Sequence, residues 1–210
     1  MNEDGREQAE AFLHPGERLI AWCSCELGPG VPAPPESLLP PPEPSELQRR
    51  IEGRLPGPLK QLVKARVLDP RRSRPAAAAN AIDRLPDAVD DLGNRLMHGT
   101  NMEGGWQSAA GRFVISRAGA RGSVTGVLAV TDRRWYALSD ISQLWQMTPV
   151  MKQYWETPRS AVSALRARPT GVLQKGRVDI EFTDGSWVAV VAPTSRNAAA
   201  FVAASARHPG

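Results

Sequence analysis

The chain has 210 residues, 23% charged and 41% hydrophobic, which suits a globular protein of one domain plus an appendage. No apolar run approaches the ~20 residues that cross a bilayer. The acidic start (Glu3, Asp4, Glu7, Glu10) lacks the basic-then-apolar order of a secretory signal, so the chain reads as cytoplasmic. The net charge of +4 is carried mostly by Arg scattered from Arg6 to Arg207. A nucleic-acid footprint would gather those charges on one face with aromatics between them, so nucleic acid is a disfavoured partner. Enrichment in Arg, Ala, Gly and Pro with little Lys is the bias of a GC-rich bacterial genome, and it accounts for the basic pI.

Glu17 to Cys25 is the first strand signal, with Leu19, Ala21, Cys23 and Cys25 on one face. Cys23 and Cys25 form a C-x-C pair with no nearby His, half the ligand set zinc needs, and read as small buried residues. The proline-rich stretch from Gly28 to Pro44 fits neither helix nor sheet interior and reads as an extended linker. Ser45 with Gln48 forms a capping-box pattern that opens a helical region. Leu59, Leu62, Val63 and Val67 give it a second short apolar face, ended by Asp69-Pro70. Arg71, Arg72 and Arg74 form a basic link. Ile82, Leu85, Val89, Leu92 and Leu96 then recur at helical spacing as an apolar seam. Gly99 to Gly111 reads as loop.

From about Ser123 onward strand signals dominate. Val124–Val130 and Trp135–Leu138 flank the polar corner Thr131–Arg134, and Ala161–Ala167 follows the turn at Pro158. Asp184-Gly185 between two β-rich runs predicts a two-residue type I′ hairpin. That register pairs Phe182 with Trp187, Ile180 with Ala189 and Val178 with Val191 on the core face. It turns Val188 and Val190 away from the core, where something must cover them. Pro193-Thr194-Ser195 opens a final helix with Ala198, Phe201, Val202 and Ser205 on one stripe.

Strands, a Phe-Thr-Asp-Gly-Ser-Trp hairpin (Phe182 to Trp187), a closing helix and the upstream Leu-Ala-Val-Thr-Asp-Arg-Arg-Trp-Tyr turn (Leu128 to Tyr136) together resemble the bacterial PH-like domains common in actinobacteria. The segment His14-Pro-Gly-Glu-Arg-Leu19 is similar to the lead-in to that family's first strand. The resemblance implies an α+β fold: a PH-like antiparallel β barrel or sandwich closed by a C-terminal helix, with a Pro-rich and helical insertion after the first strand. Residues 1–27 would carry the first strand, 28–111 the insertion and 112–210 the remainder. Lipid-binding relatives carry basic residues after the first strand; Glu26-Leu-Gly-Pro-Gly30 stands there instead, so phosphoinositide binding is not implied.

Catalysis needs convergent groups, and the usual arrangements are missing. His14, His98 and His208 have no evident orienting partner, and there is no H-E-x-x-H, P-loop or G-x-S-x-G motif. Asp83, Asp87, Asp90 and Asp91 read as the solvated face opposite the Ile82–Leu96 seam. No catalytic, cofactor or metal residue is therefore assigned. The leading expectation is a non-enzymatic module for protein–protein association, including self-association. Its candidate surface is Trp106, in a glycine-rich loop, with Val188, Val190, Arg71, Arg72 and Arg74. The alternative is attachment to an anionic membrane through the basic insertion.

Overall fold

A computed structural model describes residues 3–40, 100–120, 122–142, 148–169 and 174–206. The helices expected over residues 45–96, and Arg71, Arg72, Arg74, His98 and Trp145, lie outside the described residues. The chain divides into two compact units, one of Met1–Leu39 with Met97–Gly210 and one of Pro40–Leu96.

In chain order the first unit runs α1 (Glu3–Glu10), β1 (Leu19–Leu27), β2 (Met102–Glu103), α2 (Ala109–Gly119), β3 (Gly126–Thr131), β4 (Arg134–Asp140) and β5 (Met151–Pro158). It continues with β6 (Val162–Ala167), β7 (Arg177–Phe182), β8 (Trp187–Val191) and α3 (Ser195–Ala206). All pairings are antiparallel, along the path β5-β4-β3-β1-β8-β7-β6, with β2 also on β8. The result is α+β with an eight-stranded antiparallel sheet and a C-terminal helix, but the sheet is not closed into a barrel. Its two terminal strands, β5 and β6, are nevertheless joined by a single 3₁₀ turn, Arg159–Ala161, so the sheet bends back on itself.

The first strand does pair with the C-terminal strands, across the whole intervening segment. Cys23 lies opposite Leu128 and Cys25 opposite Gly126, while Glu26 and Leu27 reach Val191 and Val190. The main core lies inside the bend. Ala21, Cys23 and Cys25 of β1 meet Leu128, Val130, Trp135, Trp155, Val178, Ile180 and Phe182 there, with Phe113 of α2 and Phe201 of α3 closing it. Phe113 and Trp155 meet edge to face at 4.8 Å, a favoured aromatic geometry. Leu19 departs from the expected face, because a bulge between Leu19 and Ala21 turns Ile20 toward the core instead.

Four elements were not expected from the sequence: α1, β2, α2 and β5. Helix α1 covers the outer face of β1, β3 and β4, where Ala9 packs with Trp22, Val127, Ala129, Tyr136 and Leu138. Its Gly5 lies so close to Trp22 that a Cβ there would stand 2.6 Å from the ring. Strands β3 and β4 are thus buried on both faces, the environment a near-continuous apolar run such as Val127–Val130 demands. A buried ion pair fixes the chain between α1 and β1. Glu17 accepts hydrogen bonds from Arg134 Nε (3.0 Å) and Thr131 Oγ1 (2.6 Å), and Arg134 also donates to Phe12 O (2.8 Å) and Glu156 (2.6 Å). Burial alone would raise the Glu17 carboxyl. The bonds from Arg134, Thr131 and the His14 amide outweigh that and hold it at about 2.

The β7–β8 hairpin corrects the expected register. Its loop has three residues, Thr183-Asp184-Gly185: the Gly185 N–H donates to Phe182 O (3.1 Å) and the Phe182 N–H to Ser186 O (2.8 Å). Gly185 has φ +82°, whereas no described non-glycine residue has positive φ, so a type I′ turn is excluded at Asp184. The reason lies in the Asp184 carboxylate. It accepts from the Ser186 N–H (3.0 Å), the Ser186 hydroxyl (2.6 Å) and the Ala109 N–H at the start of α2 (2.7 Å). Ile180 therefore pairs with Val188 and Val178 with Val190, one residue from the expected register, and β8 is turned over.

Candidate functional site

The corrected register removes two residues from the candidate surface. Val188 and Val190 are 0% and 3% exposed and belong to the main core. Trp187, expected inside, lies half-buried on the outer face, with its indole N–H donating to Glu103 (2.8 Å) and its ring 5.5 Å from the Arg177 guanidinium. Trp106 is half-buried and folded back against the main core just before α2. The Gly99–Gly111 segment around it is not all loop: it holds β2 and the first turn of α2, whose Ser108 hydroxyl caps the Gly111 N–H (3.1 Å). Of the expected surface, Val188 and Val190 are thus core and Trp106 packs against that core, while Arg71, Arg72 and Arg74 lie outside the described residues.

Cys23 and Cys25 are buried free thiols among apolar neighbours, and burial pushes the Cys23 thiol up to about 11 and Cys25 higher still. Both are held as thiols at neutral pH, unsuited to nucleophilic work. Among the described residues no group of three or more His, Cys, Asp or Glu could hold a metal ion, and no helix is long and apolar enough to cross a membrane.

A different region has the shape of a site. A cleft of about 500 Å³ lies between β6 and the last turns of α3, lined by Trp135, Arg159, Ser160, Val162, Ser163, Ala164, Leu165, Val202, Ser205 and Ala206. Each wall has a local cause. Pro158 ends β5 and the 3₁₀ turn redirects the chain into β6, whose Val162, Ser163, Ala164 and Leu165 line the cleft. Helix α3 puts Ala198, Phe201 and Ser205 on its buried stripe, as the spacing predicts, and Trp135 packs edge to face on Phe201 at 6.2 Å. Arg159 ties the cleft together: its guanidinium donates to Thr131 O (2.7 Å) and to Ser205 O near the helix C-terminus (3.2 Å), where a cation is favoured. Trp135 Nε1 is the one buried side-chain nitrogen or oxygen among the described residues without a hydrogen-bond partner.

Among the described residues β6 has a strand neighbour only on its β7 side. The Arg168 N–H donates to Arg177 O (3.0 Å), which fixes the alternation of the ladder. Residues 164, 166 and 168 bond to β7, so Leu165 and Ala167 turn their backbone N–H and C=O outward. Ser163 is the bulged residue between the Val162 and Ala164 pairings. Arg166 and Arg168 pair with Glu181 (2.6 Å) and Asp179 (3.6 Å) on the sheet's outer face, leaving the edge itself to backbone groups. Such an edge can template another strand. Sequence reasoning missed it because strand order decides which strand is an edge, and strand order is not written in any one segment. No family model, curated protein or solved structure matches the chain.

Proposed function

We propose that this chain is a non-enzymatic, PH-like binding module for protein–protein association, and that it takes an extended segment of a partner into the β6–α3 cleft as an added strand. The observation that carries this reading is the outward row of backbone groups at Leu165 and Ala167 beside a cleft of mixed apolar and polar lining. Strand addition draws affinity from main-chain bonds and specificity from a pocket that takes alternate side chains. The PH-like reading is supported by the strand order, the bend between β5 and β6, and the position of α3 against β1, β6 and β7. Fold never dictates function; the cleft and the open edge beside it do the binding.

The test is a displayed library of extended 10–12-residue peptides selected against the intact chain, with Ala167→Pro as the counter-screen. Proline removes the outward N–H yet leaves the β7 ladder whole, because Ala167 does not bond to β7. Selected peptides should lose tenfold or more in affinity for Ala167→Pro and for the cleft-filling Ala206→Trp. Peptides that bind all three chains alike, or a selection that enriches nothing, would contradict the reading. Salt-sensitive co-sedimentation with anionic vesicles, unchanged in both variants, would favour membrane attachment instead.

A further inference from the structure

One pair of hydrogen bonds carries an inference about residues 29–100. In an antiparallel ladder a bonded residue pair exchanges two bonds, one N–H and one C=O from each side. At Ala189 of β8 those two bonds go to different residues: Gly28 donates its N–H to Ala189 O (2.9 Å), and Ala189 donates its N–H to Asn101 O (2.8 Å). On one side of that position Leu27 faces Val190 and Glu26 faces Val191; on the other Met102 faces Val188 and Glu103 faces Trp187. Strands β1 and β2 are therefore the two halves of one strand, running in one direction along one edge of β8. We infer that residues 29–100 are an excursion from a single ladder position, and that the β8 ladder is complete without them, although Val31 at the start of the excursion packs against the main core.

A second feature fits this reading. Side chains crowd around the join that would be needless in an uninterrupted strand. Asn101, 1% exposed, donates its amide to Pro29 O, where the excursion leaves, and accepts from Arg177. Arg177 also donates to Asp179 (2.7 Å), to Gln174 (3.1 Å) and to Thr100 O (3.2 Å), where the excursion returns. Burying charged and amide groups is costly unless all are satisfied, and here they bind the departing and returning backbone to the same point of β7–β8. The closure entropy of so long a loop grows only logarithmically with its length, so an excursion of this size is tolerable in mid-strand.

All six Trp residues lie outside residues 29–100, so tryptophan fluorescence reports the β unit alone. In the full-length chain, Leu92→Pro should disrupt the helix predicted in the excursion and yet shift the fluorescence-monitored melting midpoint by less than about 3 °C. Hydrogen exchange on the parent should place the Gly28 and Ala189 amides with the slowest amides of β3 and β7. A second variant joins Leu27 directly to Asn101, which then supplies both bonds to Ala189, and it should melt cooperatively with the same fluorescence maximum. A larger shift in Leu92→Pro, or a spliced chain that fails to fold while a flexible linker between Gly28 and Asn101 restores it, would overturn the inference. In the first case the excursion supports the sheet; in the second the two half-strands do not share one position.

Discussion

Strand β3 lies inside the sheet and β6 at its end, and accordingly one is sealed and the other open. Every residue of β3 is buried, between the main core and the layer under α1; every residue of β6 is half-buried or exposed, with a strand on one side and a cleft on the other. Their compositions differ accordingly. Gly-Val-Leu-Ala-Val-Thr offers both faces something apolar, whereas Val-Ser-Ala-Leu-Arg-Ala mixes small, polar and charged residues. The sealed region can only hold shape, since its polar groups are consumed in the Glu17–Arg134–Thr131 network and in the Tyr136 hydroxyl donating to Ala9 O (2.7 Å). On the proposed reading, a partner strand has room only where the backbone is left unused.

The strongest way to break this comparison is at the sealed end. Arg134→Ala would leave the Glu17 carboxylate buried without its cation and should cost about 3–5 kcal/mol in urea unfolding. A loss below about 1 kcal/mol would mean the network is open to solvent. The corrected hairpin makes the next test: Val190→Ala should cost about 2–3 kcal/mol and Val191→Ala less than half of that, because only the first points into the core. The expected type I′ register would reverse the order.

Acid should separate the regions as well. The folded Glu17 carboxyl sits at about 2 against an ordinary 4.5, so its stabilisation is complete above the ordinary value and fades as the pH falls toward 2. Thermal midpoints measured from pH 6 to pH 2 should fall through that window in the parent, and the fall should be shallower in Glu17→Gln. Parallel profiles would remove Glu17 from the account. Smaller again, Gly5→Ala should cost roughly 1 kcal/mol, since its methyl must displace the Trp22 ring and so loosen α1. An unchanged midpoint would show that α1 is not seated on Trp22.

How legible each region was follows from the same physics. The closing helix was readable because Ala198, Phe201, Val202 and Ser205 repeat at the helical period against one surface. Helix α1 was not, because Glu3–Glu10 has almost no apolar stripe; what seats it is the absence of a side chain at Gly5 and a single Ala9. Helix α2 carries Ala110, Phe113 and Val114 at helical spacing behind the cap residue Ser108, a signal that surrounding glycines obscured. Strand β5 was overlooked although Tyr154 and Trp155 lie in it, since a bulge at Tyr154 breaks its alternation. The hairpin slip has a sharper cause. Trp-Val-Ala-Val-Val is apolar on both faces, so either register satisfies the hydrophobic pattern, and the choice fell to Asp184 capping a helix 75 residues away in sequence. The cleft was invisible for a related reason: its walls, β6 and α3, are separated by β7 and β8 in the chain and meet only through tertiary packing.

The most direct test is residue-resolved hydrogen exchange across β6, in the free chain and with a selected peptide bound. In the free chain the Leu165 and Ala167 amides should exchange near the rate of unstructured backbone, while those of Ala164, Arg166 and Arg168 are protected by β7. With peptide bound, Leu165 and Ala167 should slow by a hundredfold or more and the rest should change little. If Leu165 and Ala167 are already protected in the free chain, another part of the protein covers that edge, and the cleft is not where a partner adds its strand.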